Sequence, residues 1–186
     1  MVIKSIIMKR YVAILRGINV SGQKLIKMDA LKQHMVDLSF RNVSTYIQSG
    51  NIMFESEDGS APNLAYQISH KIYKEFGFEV PVIVKSAGEL TAILRSNPFV
   101  NSRHEDIDIL HVIFLSEQPK QDLLSKIEPL AYKPDEYEVV GDTVYLCCPN
   151  GYGRTKLNNN FFENRLKLVA TARNWKTIVK LAEMIH

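Results

Sequence analysis

Cysteine is scarce in this chain: Cys147 and Cys148 are the only two, adjacent in an apolar run. Strand alternation sends neighbouring side chains to opposite faces, so the pair suits neither a structural disulfide nor a shared metal and reads as two small buried hydrophobes. The five histidines, His34, His70, His104, His111 and His186, show no i,i+3 or i,i+4 pairing, which argues against zinc. No apolar run approaches the ~20 residues of a membrane span, and the opening VIKSIIM is too short for a signal h-region. The expected home is therefore the cytoplasm, with no membrane partner. Charge of one sign is lacking too: a formal net charge of +3 is too mild to demand nucleic acid or an anionic surface. Any anion site has to come from local clustering.

What is present is a strand-and-helix grammar stated twice. YVAIL (residues 11–15) reads as a buried strand, and Asp29 as the N-cap of a helix carrying Leu31, Met35 and Leu38. STYIQS-GN-IMFES reads as a hairpin turning on Gly50-Asn51, because glycine accepts positive φ and asparagine tolerates it. A second helix from about Pro62 carries Leu64, Ile68, Ile72 and Phe76 at four-residue spacing and ends at Gly77; VPVIV (80–84) then forms a strand. The order β-α-β-β-α-β is ferredoxin-like.

Ser86 and Glu89 form a capping box for a short helix that Asn97-Pro98 stops, and the polar stretch SNPFVNSRHEDID follows. After it come a strand at 109–115, a helix at 119–127 and the hairpin YEVV-GD-TVYLCC, turning on Gly141-Asp142. YIQSGNIMF and YEVVGDTVY both place tyrosine, three residues, glycine and then Asn or Asp. The second half lacks a clear closing strand and ends in two helices, about 158–168 and 172–185. The expected fold class is α+β, with two ferredoxin-like subdomains. Residues 1–8 form an N-terminal extension, 9–97 the first subdomain, 98–108 a linker, and 109–186 the second β-α-β-β subdomain with C-terminal helices.

Four stretches carry candidate chemistry. In RGINVSGQK (16–24), Gly17 and Gly22 have Walker spacing, but Gln23 precedes Lys24 and no Ser or Thr follows. The loop is phosphate-loop-like without being a Walker loop, and metal-dependent ATP hydrolysis is not expected. As an anion site its glycines would bring backbone N–H groups to an oxyanion while Arg16, Asn19 and Lys24 supply polar heads. The tip QSGNI adds Gln48, Ser49 and Asn51. NGYGRTKLNN (150–159) follows a strand, leads into a helix that Asn158 caps, and presents Arg154 and Lys156 around Thr155. In ATARNWKT (170–177), Trp175, Ile178, Val179 and Ala182 form a core stripe, with Arg173, Lys176, Thr177 and Lys180 opposite. Thr171 is the expected cap there, placing Arg173 in the first helical turn, where a cation opposes the helix dipole and calls for a counter-anion. The plain alternatives are a glycine-shaped turn with solvated charges in the first loop, a bare hairpin turn at QSGNI, a structural loop leading into a helix at 150–159, and in ATARNWKT a solvated basic face with Arg173 paired to a carboxylate of the chain.

ILRGINV (14–20), TYIQSGN (45–51), GYGRTKL (151–157) and TARNWKT (171–177), in this order, resemble the bacterial domain-of-unknown-function family numbered 1697, over nearly the whole chain from Met8. The chain departs from that pattern at Ser21, where a second glycine is expected, and at Ala172, where threonine is. The resemblance implies a two-subdomain α+β arrangement of ferredoxin-like units and brings no activity, cofactor or catalytic residue with it. The residues themselves point to a phosphate-bearing partner, nucleotide or nucleic acid, bound by Arg16, Gly17, Asn19, Gly22, Lys24, Gln48, Ser49, Asn51, Arg154, Lys156 and Arg173. No metal or cofactor is expected.

Two alternatives stay open. One is an enzyme acting on a small anionic substrate, although no nucleophile elbow, Cys-His pair or acid-base couple stands out. The other is an RNA-binding module using Tyr46, Phe54, Tyr137 and Tyr145 on the strands. The identity of the ligand and the oligomeric state are not legible.

Overall fold

The structure is a computed structural model describing residues 7–57 and 59–186, so the expected N-terminal extension lies outside the described residues as far as residue 6. Two compact units are present: Met1–Glu89 with Leu181–His186, and Leu90–Lys180.

The first unit runs β1 (Lys9–Leu15), α1 (Met28–Asp37), β2 (Arg41–Tyr46), β3 (Asn51–Ser56), α2 (Ala61–Phe76) and β4 (Val82–Ser86). Its sheet order is β2-β3-β1-β4, antiparallel throughout, as a ferredoxin-like order requires. Alternation in β1 puts Tyr11, Ala13 and Leu15 into one core with Leu31 and Met35 of α1 and Leu64, Ile68 and Ile72 of α2. The four-residue spacing is what lines these helical side chains along one face. α2 begins at Ser60, whose hydroxyl accepts the Asn63 N–H at 3.4 Å, and stops at Gly77 with φ +79°. Asp29 is not the cap of α1; the helix starts at Met28, and Asp29 sits in its first turn, where a carboxylate favours the dipole.

The Ser86 box forms as the spacing predicts: the Ser86 N–H donates to the Glu89 carboxylate at 2.8 Å and the Glu89 N–H to Ser86 Oγ at 3.3 Å, opening α3 (Ala87–Arg95). The second unit continues with α4 (Pro98–Asn101), β5 (Leu110–Leu115), α5 (Gln121–Leu124), β6 (Glu136–Val140), β7 (Thr143–Cys147), α6 (Asn159–Leu166), β8 (Ala170–Asn174) and the start of α7 (Trp175–Ile185), whose residues from Leu181 onward group with the first unit. Sheet order β6-β7-β5-β8 repeats that of the first unit.

The second unit therefore has a closing strand, contrary to the reading that it ends in helices alone. The helical stripe from Trp175 onward does not extend back through residues 170–174, which pair instead with residues 111–115 of β5. Asn174, not Thr171, caps α7, its Oδ1 accepting the Thr177 N–H at 2.8 Å. The helix expected over 119–127 contracts to the four residues of α5.

The hairpins differ in their tips. β6 and β7 turn on Gly141-Asp142 with Val140 facing Thr143, as expected. In the first hairpin Tyr46 faces Asn51, so the connection is residues 47–50 and Asn51 opens β3. Asn51 is fully buried and donates to the Tyr46 carbonyl at 2.9 Å, bracing the wider tip.

Candidate functional site

The loop at residues 16–27 folds on itself. Ser21 (φ +50°) and Gly22 (φ +74°) make a tight turn in which the Gln23 N–H donates to the Val20 carbonyl at 2.9 Å. Two positive φ values in succession explain the glycine; serine at the other position carries a backbone strain. The Asn19 amide nitrogen donates to the carbonyls of Ile26 (3.0 Å) and Gln48 (2.9 Å), and its oxygen accepts the Ile26 N–H at 2.8 Å. Asn19, Gln48, Ser49 and Asn51 are thus brought together, because Asn51 also reaches Ser49 Oγ at 3.4 Å. Lys24 turns away and donates to the Glu79 carbonyl at 2.6 Å, while the Arg16 N–H donates to the Pro81 carbonyl at 3.0 Å. Gly50, at φ +82°, completes the bracket: a Cβ there would stand 2.7 Å from Ile18 Cδ1 and 2.8 Å from Leu15 Cβ.

The segment from Cys148 into α6 is built differently. Gly151 adopts φ +87° and its N–H donates to the Cys148 carbonyl at 2.9 Å; a 3-10 turn over Tyr152–Arg154 follows. Beyond the turn Thr155 and Leu157 are buried, while Arg154 and Lys156 are exposed. Thr155 Oγ1 accepts the Leu157 N–H at 3.0 Å, and Asn158 caps α6 by accepting the Phe161 N–H at 3.0 Å. The backbone donors of this segment are largely satisfied internally. What it presents is two cationic side chains.

Arg154 and Lys156 line a cleft of about 410 Å³ together with Tyr132, Lys133, Asp135 and Asn150. Lys133 pairs with Glu136 at 3.1 Å. The side chains of Asp135, Asn150, Arg154 and Lys156 form no hydrogen bond or ion pair among the described residues. Register explains the meeting: β6 and β7 pair Glu136 with Cys147, so the residues before β6 lie against those after β7. Lys133, Asp135 and Asn150 were not among the sequence candidates. The available signal was the Gly141-Asp142 turn, about which residues at equal sequence distance must face each other.

Arg173 sits in the middle of β8 opposite Val112, not in a helical turn. Its guanidinium donates to the Ala172 carbonyl at 2.7 Å and Thr171 Oγ1 at 3.2 Å, and burial pushes its pKa down to about 10. The dipole argument for a counter-anion there falls with the helix. Of the strand aromatics, Phe54 is buried in a stack with Phe40, and Tyr145 is buried with its hydroxyl donating to the Ile93 carbonyl at 2.9 Å. Tyr137 donates to the Ile127 carbonyl at 3.0 Å. Phe54 and Tyr145 are therefore core residues, whereas Tyr46 and Tyr137 are half-buried. Burial also raises both thiols, that of Cys148 to about 12.

The model of a family described as a protein of unknown function, domain-of-unknown-function family 1697, matches residues 8–145, and the chain belongs to that family. A solved structure of a conserved bacterial protein from Streptococcus pneumoniae is similar, with 26% sequence identity and a TM-score of 0.76, covering 97% of this chain and 100% of that one. No curated protein matches the chain. Among the described residues no helix is long and apolar enough to cross a membrane.

Proposed function

We propose that this member of family 1697 binds a phosphate-bearing ligand, a nucleotide or a nucleic-acid phosphate, in the cleft of its second unit. One observation carries the reading: Arg154 and Lys156 line one cleft of about 410 Å³ and have no carboxylate partner among the described residues. Like charges lining one cleft repel, and an anion between them offsets that cost with charge-assisted hydrogen bonds. Lys133 stands at the rim, drawn to Glu136 at 3.1 Å. Within this reading Asn19, Lys24 and Asn51 of the first unit are structural, since their hydrogen bonds close the loop rather than leave it open.

Thermal denaturation against inorganic phosphate, AMP and a short RNA tests it. A ligand at 100 times its dissociation constant stabilises the native state by roughly 2.7 kcal/mol. The double variant Arg154→Ala, Lys156→Ala should lose that response while its own stability changes by no more than ~0.5 kcal/mol, as for exposed side chains. A steep fall of binding with salt selects the RNA backbone; a shallow one selects the mononucleotide. No response to any of the three overturns the proposal.

A further inference from the structure

The same cleft holds a carboxylate that a bare phosphate site has no use for. Asp135 lines it beside Arg154 and Lys156, and its side chain, like that of Asn150, makes no hydrogen bond or ion pair among the described residues. A carboxylate next to a bound phosphate is repulsive unless it faces hydrogen-bond donors. With Lys133 drawn to Glu136 at 3.1 Å, the two remaining cations match a dianion, which a phosphomonoester becomes above its second pKa of about 6. A phosphodiester carries one charge per phosphate, and Asp135 repels the next phosphate along such a chain. Tyr132, fixed by an edge-on contact with Phe161 at 5.1 Å, gives the cleft an apolar wall for the organic part of a ligand.

Building on the proposed phosphate cleft, we infer that its ligand is a phosphomonoester of a hydroxyl-bearing molecule, a sugar phosphate or nucleoside monophosphate, with Arg154 and Lys156 taking the phosphate and Asp135 and Asn150 taking hydroxyl or amino groups. The recognition needs no covalent step.

The test is calorimetric titration of the full chain with methyl phosphate, dimethyl phosphate, ribose 5-phosphate and AMP. Ribose 5-phosphate and AMP should bind about tenfold tighter than methyl phosphate, and dimethyl phosphate about tenfold weaker than it. Asp135→Ala should erase the advantage of the hydroxylated ligands while strengthening methyl phosphate. AMP ahead of ribose 5-phosphate identifies a nucleotide; parity identifies a sugar phosphate. Methyl phosphate binding as tightly as ribose 5-phosphate, with Arg154→Ala abolishing both, overturns this inference and leaves the phosphate cleft standing. No binding of any of the four overturns this inference, and binding indifferent to Arg154→Ala overturns both.

Discussion

The two units share one strand order and place their long glycine-bearing segments at different joints. In the first, the segment follows the first strand, at residues 16–27, beside helices of 10 and 16 residues. In the second it follows the third strand, at residues 148–158, beside helices of 4 and 8 residues. Both contain glycine, asparagine and basic residues, and both read alike as phosphate loops. Their side chains separate them. Asn19 and Lys24 are committed to carbonyls of their own unit, whereas Arg154 and Lys156 are committed to none among the described residues. A loop of this composition is a strut or a site according to where its polar heads find partners.

The largest effect that can break this comparison lies at the two hairpin tips. Gly50→Ala meets both a left-handed backbone and contacts under 3 Å with Ile18 and Leu15, so it should cost roughly 2–4 kcal/mol in urea denaturation. Gly141→Ala meets the backbone term alone, with nothing within 4 Å of the new methyl group, and should cost about 1 kcal/mol. Equal costs would mean that the first tip is not pressed against its neighbouring loop.

Next in size is Asn19→Ala, which removes a bracket of three hydrogen bonds and should destabilise by about 1–3 kcal/mol. AMP affinity should not move. A drop in affinity as large as that of Arg154→Ala would transfer the site to the first unit.

The repeated topology was legible because helix spacing, hairpin turns and strand runs are local signals, as with Leu64, Ile68 and Ile72 or Gly141-Asp142. Strand β8 was missed for a local reason too. It is five residues long and runs directly into α7, so the stripe beginning at Trp175 masks the pairing of Ala170–Asn174 with β5. The candidate site was legible only by halves. Arg154 and Lys156 belong to a glycine-rich motif, but Lys133 and Asp135 join them through strand register, which no motif records. Partner choice is equally non-local: nothing in RGINVSGQK announces that Lys24 meets the carbonyl of Glu79.

The corrected end of the second unit gives a smaller effect. If Asn174 caps α7, Asn174→Ala should cost about 1 kcal/mol by thermal denaturation. Thr171→Val, by contrast, should act through the Arg173 contact at 3.2 Å and leave the helix content seen by circular dichroism unchanged. Loss of helix signal in the Thr171 variant would restore Thr171 as the cap.

The smallest effect concerns the exposed charge clusters, one in each unit. Lys71 holds Glu75 at 2.8 Å and Asp37 at 3.3 Å; Arg103 holds Glu136 at 2.9 Å and Glu105 at 2.7 Å. Hydrogen bonds from Lys71 lower the pKa values of Asp37 and Glu75, and those from Arg103, then Lys133, lower that of Glu136. Carboxylates with depressed folded values contribute stability above their unfolded pKa and lose it as pH falls through the folded one, so the loss belongs to the acid limb. Exposure keeps it small, and salt should shrink it further. Melting curves from about pH 7 to about pH 3 should show a shallower acid fall for Glu136→Gln than for the wild type. The same substitution releases Lys133 at the rim of the cleft, so methyl phosphate should bind slightly tighter near neutral pH. Weaker binding instead would show that Glu136 positions Lys133 for the anion, and the second unit would then recruit three cations rather than two.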